Sequence, residues 1–156
     1  MITMTAKILI LFFSISLFAC ADEDALLLQL VNEARVSGYF CGEEHHPPTN
    51  KVFWDTRLEQ AAHDHSLDMY TNRFISHVGS DGSSPNQRAS RRGYNMNGMG
   101  PLGENVAWGY QTEEEVIAAW LSSPGHCRNI MNPRYKDMGI AREGNYWTQL
   151  FGAERQ

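Results

Sequence analysis

Ser122-Ser123-Pro124-Gly125-His126-Cys127-Arg128-Asn129-Ile130-Met131-Asn132-Pro133 places a histidine beside a cysteine, between Pro-Gly on one side and Asn-Pro on the other. Proline has a preset φ and no N–H, which suits Pro124 to a turn or the first position of a helix. Pro133 disfavours helical backbone at Asn132. A helix of one or two turns is therefore expected between the two prolines, with His126 held in its opening turn.

Working back from this stretch, Glu113 to Leu121 reads as the helix that feeds it. Thr112 and Glu115 have the spacing of a capping box, and Val116, Ile117, Ala119 and Trp120 supply an apolar side. Glu104-Asn105-Val106-Ala107-Trp108 precedes that helix, introduced by the glycine-rich turn Gly98 to Gly103. Ser84-Pro85-Asn86-Gln87 predicts a capped, short helix ending near Arg91-Arg92-Gly93. Its Arg88, Arg91 and Arg92 read as a solvated basic patch. Asp55 or Thr56 opens a longer helix through Tyr70, with Thr56 and Glu59 as a capping box. Leu58, Ala61, Ala62, His65 and Met69 share its inner face, and His63 points outward. Ala25, Leu28 and Val31 predict a first helix over 22–37, ended by Gly38, and Tyr39 to Lys51 reads as loop before Val52-Phe53-Trp54.

After Pro133 the period changes to two. Met138 to Ala141 and Asn145 to Gly152 alternate as a hairpin turning at Arg142-Glu143-Gly144. Helices followed by a terminal hairpin predict an α+β domain, with helices covering the faces of a small antiparallel sheet.

The 156 residues amount to a single domain. Ile8 to Ala19 is an apolar run of 12 residues preceded by Lys7 and followed by the small-x-small triplet Ala19-Cys20-Ala21. It falls short of the roughly 20 residues of a membrane-spanning helix. The pattern is that of an export signal over 1–21, leaving 22–156 as the mature domain. Lipid attachment at Cys20 and retention of the run as an uncleaved anchor are the alternatives. Loss of Lys7 leaves 12 of the 13 basic residues against 18 acidic ones, a net charge of −6. That balance argues against a nucleic-acid partner. Cys41 and Cys127 then remain as a pair in an oxidising compartment, where a disulfide is the simplest state and two buried thiols the alternative.

His77, Glu104 and His126 each stand where glycine or proline fixes the backbone. Two imidazoles and a carboxylate are zinc-type ligands, so convergence would make a divalent-metal site. A serine hydrolase would need Ser122 or Ser123 beside His126, yet neither serine lies in a Gly-x-Ser-x-Gly elbow. A thiol enzyme would need Cys127 free of Cys41. The many aromatic rings also allow a groove for an apolar small molecule or a peptide.

Leu30-Val31-Asn32-Glu33-Ala34-Arg35, Phe74-Ile75-Ser76-His77, Gly103-Glu104-Asn105-Val106-Ala107, Ser123 to Pro133 and Tyr146 to Gly152 occur in that order, and together they resemble the CAP superfamily (SCP/TAPS, SCP-like extracellular proteins) in its bacterial branch. The resemblance implies an exported three-layer α-β-α sandwich with a central cleft. It also implies that the cleft is lined by two histidines and two acidic residues able to bind a divalent cation. Carried across, these are His77, Glu104 and His126, while the second acidic position falls on Ser123. Losing a carboxylate lowers charge and ligand count, so the expectation is a weak His-His-Glu zinc site or a polar cleft without resident metal. The expected role is binding of an apolar ligand, peptide or envelope component. Metal-dependent or acid-base hydrolysis and lipid or sterol carriage are the alternatives. If the export reading holds, the intact mass of protein recovered outside the producing cell corresponds to a chain starting at Asp22. A mass retaining residues 1–21, or an acyl group on Cys20, rejects cleavage after Ala21.

Overall fold

The computed structural model describes residues 8–94 and 102–153, with side chains from residue 23 onward. Most of the glycine-rich turn before Glu104, residues 98–101, lies outside the described residues, as does the side chain of Cys20.

The chain runs α1 (Ile8–Ser37), β1 (Tyr39–Cys41), β2 (Glu44–His46), β3 (Phe53–Trp54), α2 (Thr56–Asn72), α3 (Pro85–Arg91), β4 (Gly103–Trp108), α4 (Glu113–Ser122), α5 (Pro124–Met131), β5 (Asp137–Glu143) and β6 (Tyr146–Gly152). The first helix begins at Ile8 rather than Asp22 because no proline or glycine separates the apolar run from the amphipathic one. Among the described residues, no helix is long and apolar enough to cross a membrane.

A four-stranded sheet ordered β3-β5-β6-β4 forms the middle layer. The expected hairpin is present, turning through the two residues Gly144 and Asn145, where Gly144 takes φ +55°. The sheet is nevertheless mixed, since β3 pairs parallel to β5 through Phe53↔Asp137 and Trp54↔Met138. The segment expected to be loop over 39–51 also holds a small hairpin, with Tyr39↔His46 and Cys41↔Glu44 in register. Its three-residue strands are too short for an alternating pattern to show.

Helices cover both faces. On one, α1, α4 and α5 meet alternate sheet residues, so that Leu27, Val31, Trp120, Ile130, Met138, Ile140, Trp147 and Phe151 form the larger core. On the other, α2 and α3 bury Leu58, Ala61, Ala62 and Ala89 against Leu150 and Tyr94. This is a three-layer α-β-α sandwich, with the two-residue period of β5 and β6 dividing their side chains between the cores.

The elements start where the capping logic puts them, with one exception. Ser84 and Thr112 both make complete capping boxes, with Gln87 and Glu115. At α2 the cap is Asp55, whose carboxylate accepts from the N–H groups of Arg57 and Leu58. Thr56 is already helical, and Glu59 accepts from Trp54 Nε1 at 2.8 Å instead of closing a box. Aspartate is the stronger cap, and it lies one residue earlier.

Three long-range ties position the outer helices. Cys41 is bonded to Cys127, joining the small hairpin to α5 across 86 residues. Asn32 pairs with the backbone of Val52 in both directions, Nδ2 to O at 3.0 Å and N to Oδ1 at 2.9 Å. Arg35, fully buried, donates to the carbonyls of Asn50, Ile130, Asn132 and Tyr135 and so closes the end of α5. Burial pushes its guanidinium down to about 10.

The α2 layer approaches the sheet most closely at Gly139. A Cβ there would fall inside the contact distance of the backbone at Leu58 and Glu59. Both are backbone groups and cannot swing aside. Gly139→Ala should therefore cost at least the roughly 1–3 kcal/mol of core overpacking, read as a lower urea midpoint at unchanged m-value.

Candidate functional site

β4 is an edge strand, hydrogen-bonded to β6 on one side only. Its outer carbonyls are met by side chains rather than another strand. Asn129 Nδ2 donates to Glu104 O at 3.0 Å and Trp120 Nε1 to Val106 O at 3.4 Å. These contacts protect the edge and dock α4 and α5 along it.

The alternation of β4 sends Glu104 and Asn105 to opposite faces. Asn105 is fully buried and faces α5, where its Nδ2 donates to His126 O at 3.2 Å and to Gln149 Oε1 at 2.8 Å. Its Oδ1 accepts from Asn129 Nδ2 at 2.8 Å. The backbone at His126 is thus fixed by Asn105 and by the disulfide at the next residue. His126 lies in the first turn of α5, as the Pro-Gly spacing predicts.

Glu104 faces the α2/α3 layer, with only 3% of its side chain exposed. Oε1 accepts from His77 Nδ1 at 2.8 Å, and Oε2 accepts from Arg88 Nη2 at 2.6 Å. Arg88 is equally buried and also donates to the carbonyls of Ser83 and His77. This corrects the expectation of a solvated basic patch. Arg91 and Arg92 are exposed and pair with Asp81 and Asp64, but Arg88 is the counter-ion of Glu104. Seven residues of α3 are too few for periodicity to separate an inward arginine from outward ones. Nor does the sequence bring Glu104, 16 positions away, into view as its partner.

The carboxylate is therefore enclosed between a guanidinium and an imidazole. His77 alone carries the network to the surface, with 55% of its side chain exposed. Its pKa is raised from the ordinary 6.5, mainly by the hydrogen bond to Glu104. His126 is shifted the other way, first by burial and then by the charge of nearby His77. The two imidazoles thus feel each other, while Glu104 belongs to His77. Ser123 is half-buried at the junction of α4 and α5; its backbone N–H closes α4 on Trp120 O, and its side chain makes no capping hydrogen bond to α5.

As a metal centre this donor set is incomplete. Both oxygens of Glu104 are engaged, and a serine stands where a second carboxylate was anticipated. Among the described residues, no group of three or more His, Cys, Asp or Glu side chains is placed to hold a metal ion. The disulfide removes Cys127 as a nucleophile. What the residues do provide is an oriented histidine, in the way an outer carboxylate fixes the tautomer of an imidazole. Its Nδ1–H is given to Glu104, which leaves Nε2 as the free ring nitrogen.

The sequence of residues 28–151 matches the cysteine-rich secretory protein family, CAP, and the chain belongs to that family. It is 34% identical over 99 residues to the uncharacterized protein YkwD of Bacillus subtilis, an alignment covering 62% of this chain and 37% of that protein. The match thus spans little more than a third of that relative's length. Among solved structures, an extracellular SCP-domain protein of Bacillus anthracis superposes with a TM-score of 0.72, covering 86% of this chain and 41% of that one at 22% identity. An outer surface protein of Borrelia burgdorferi superposes with a TM-score of 0.68, covering 84% of this chain and 92% of that one at 24% identity.

Removing one member of a buried ion pair strands the other. Arg88→Met should therefore lower stability by about 3–5 kcal/mol in urea denaturation. Adding Glu104→Leu to that variant should restore most of the loss, because neither charge is then left buried alone. For His77 the raised pKa fixes the sign of its pH dependence. The extra stability of its charged form beside Glu104 is complete below 6.5 and is lost as pH rises through the folded value, the Nδ1–H hydrogen bond remaining in the neutral ring.

Proposed function

We propose that this chain is an exported binding module whose cleft, lined by His77, Glu104, Ser123 and His126, takes a ligand at the outward edge of His77. One observation carries the reading, namely that His77 is oriented from behind by a buried carboxylate while remaining more than half exposed. Ile75 and Val78, on either side of it, are 52% and 54% exposed. An aligned polar group between exposed aliphatic side chains suits a ligand with both a hydrogen-bonding and an apolar part. A peptide, an apolar small molecule or an envelope component fits that description.

Export is supported by the apolar run before Ala21 and by the disulfide, which requires an oxidising compartment. The fold is shared with an extracellular protein and an outer surface protein. We place the mature domain at 22–156, with cleavage after Ala21, and lipid attachment at Cys20 as the alternative. Secretion or retention at the envelope follows from either.

A divalent ion in this cleft would rest on His77 and His126, with Glu104 acting behind His77 rather than as a ligand. Two imidazoles make a weak site. Calorimetric titration of zinc should show low affinity in the wild type and none in His77→Ala or His126→Ala. Three identical titrations would remove the metal reading.

The opposite pKa shifts of the two histidines favour acid-base hydrolysis as a second reading, with His77 as the protonated partner and His126 as the neutral one. Alanine at either position separates the two functions. A hydrolase loses turnover in a folded variant, whereas a binding module loses ligand affinity and has no turnover to lose.

A further inference from the structure

His77 lies between the end of α2 at Asn72 and the start of α3 at Pro85, where the chain forms neither helix nor strand. No ladder of backbone hydrogen bonds sets the direction of its side chain. The entry to this segment is fixed by Arg73, which closes α2 in the left-handed region at φ 55°. Beyond that, two successive carbonyls flanking the His77 Cα are each gripped by a buried side chain. Ser76 O meets His65 Nε2 at 2.7 Å, and His77 O accepts from Arg88 Nη2 at 3.2 Å. One grip comes from α2 and the other from α3.

His65 is wholly buried on α2 and packs edge-on against Phe74 at a ring distance of 6.4 Å. A carbonyl can only accept, so Nε2 must carry the proton. Nδ1 is buried and has no hydrogen-bond partner among the described residues. In the other tautomer the Ser76 bond would be lost and an N–H would point at nothing. The cationic form would place a second charge near Arg88, and burial together with Arg88 holds the His65 pKa below its ordinary value. Helix α2 could bury an aliphatic residue at this position far more easily than a half-satisfied imidazole. The one specific thing His65 adds is a donor aimed at the peptide group immediately before His77.

We propose that His65, held as the neutral Nε2–H tautomer, is a positioning residue that fixes the peptide before His77 and thereby aims His77 Nδ1 at Glu104. This deepens the cleft reading by naming what holds its exposed histidine in place, and it rests on that reading only for its biological use. His65 itself does not reach the ligand edge of the cleft.

The test uses nuclear magnetic resonance on the exported, oxidised protein. In the wild type at neutral pH, long-range nitrogen–proton spectra should show His65 as the neutral Nε2–H form. The Nδ1–H tautomer or an imidazolium would overturn the proposal, whatever any variant does. His65→Gln can keep an amide donor near the Nε2 position, while His65→Leu cannot. The glutamine variant should keep the His77 Nδ1–H signal and its raised titration midpoint. In the folded leucine variant the signal should be lost and the midpoint should move toward the ordinary histidine value of 6.5. An unchanged His77 in a folded leucine variant would sink the assignment, and if that variant does not fold, the wild-type tautomer decides. Failure of the binding module reads differently, as absent ligand and zinc binding in the wild type while His77 still responds to His65→Leu.

Discussion

A carboxylate buried to 3% exposure stays charged only if both its oxygens are met, and Glu104 meets that condition with one cation and one imidazole. Arg88 therefore has to enter the interior, which ties α3 to β4 through that one side-chain pair. His77 has to lean in from the loop between α2 and α3. With Oε1 on His77 and Oε2 on Arg88, Glu104 acts on the surface through the His77 ring. This is why the site reads as one oriented histidine beside a second, neutral one rather than as a set of metal ligands.

The opposite side of the edge strand is arranged by different forces. Buried Gln149 and Asn105 and half-buried Asn129 form a polar chain in which Asn129 meets the Glu104 carbonyl on the outer edge of β4 and Asn105 holds the backbone of His126. The disulfide and Arg35 anchor α5, the first at its middle through Cys127 and the second at its C-terminal end through the carbonyls of Ile130 and Asn132. A helix of eight residues would not be stable alone. Here it is fastened at its middle and at its end, and His126, next to the disulfide, inherits that rigidity. Arg35 and Asn32 in α1 also explain why polar residues occur on an otherwise inward stripe, since each serves backbone groups that have no ladder partner.

Much of this was legible beforehand. The Pro-Gly and Asn-Pro boundaries of α5, the capping boxes at Ser84 and Thr112, the inward face of α2 with His65 on it and the terminal hairpin all arise from contacts within a few residues. Local contacts leave a periodic or positional trace. The exceptions follow the same logic. Three-residue strands at Tyr39 and Glu44 leave no trace of period, and the parallel pairing of Phe53 and Trp54 with β5 depends on residues more than 80 positions away.

By itself the sequence determined which residues could carry function and that the chain makes one layered α+β domain, because capping, turn chemistry and hydrophobic period act over short distances. Only the tertiary structure decided who partners whom. Arg88 looked like its exposed neighbours Arg91 and Arg92 until packing placed it against Glu104, and Glu104 looked like a ligand until Arg88 and His77 occupied both its oxygens. A charge chooses its partner by distance through space and by the cost of leaving either member unpaired in the interior, and neither quantity is written along the chain.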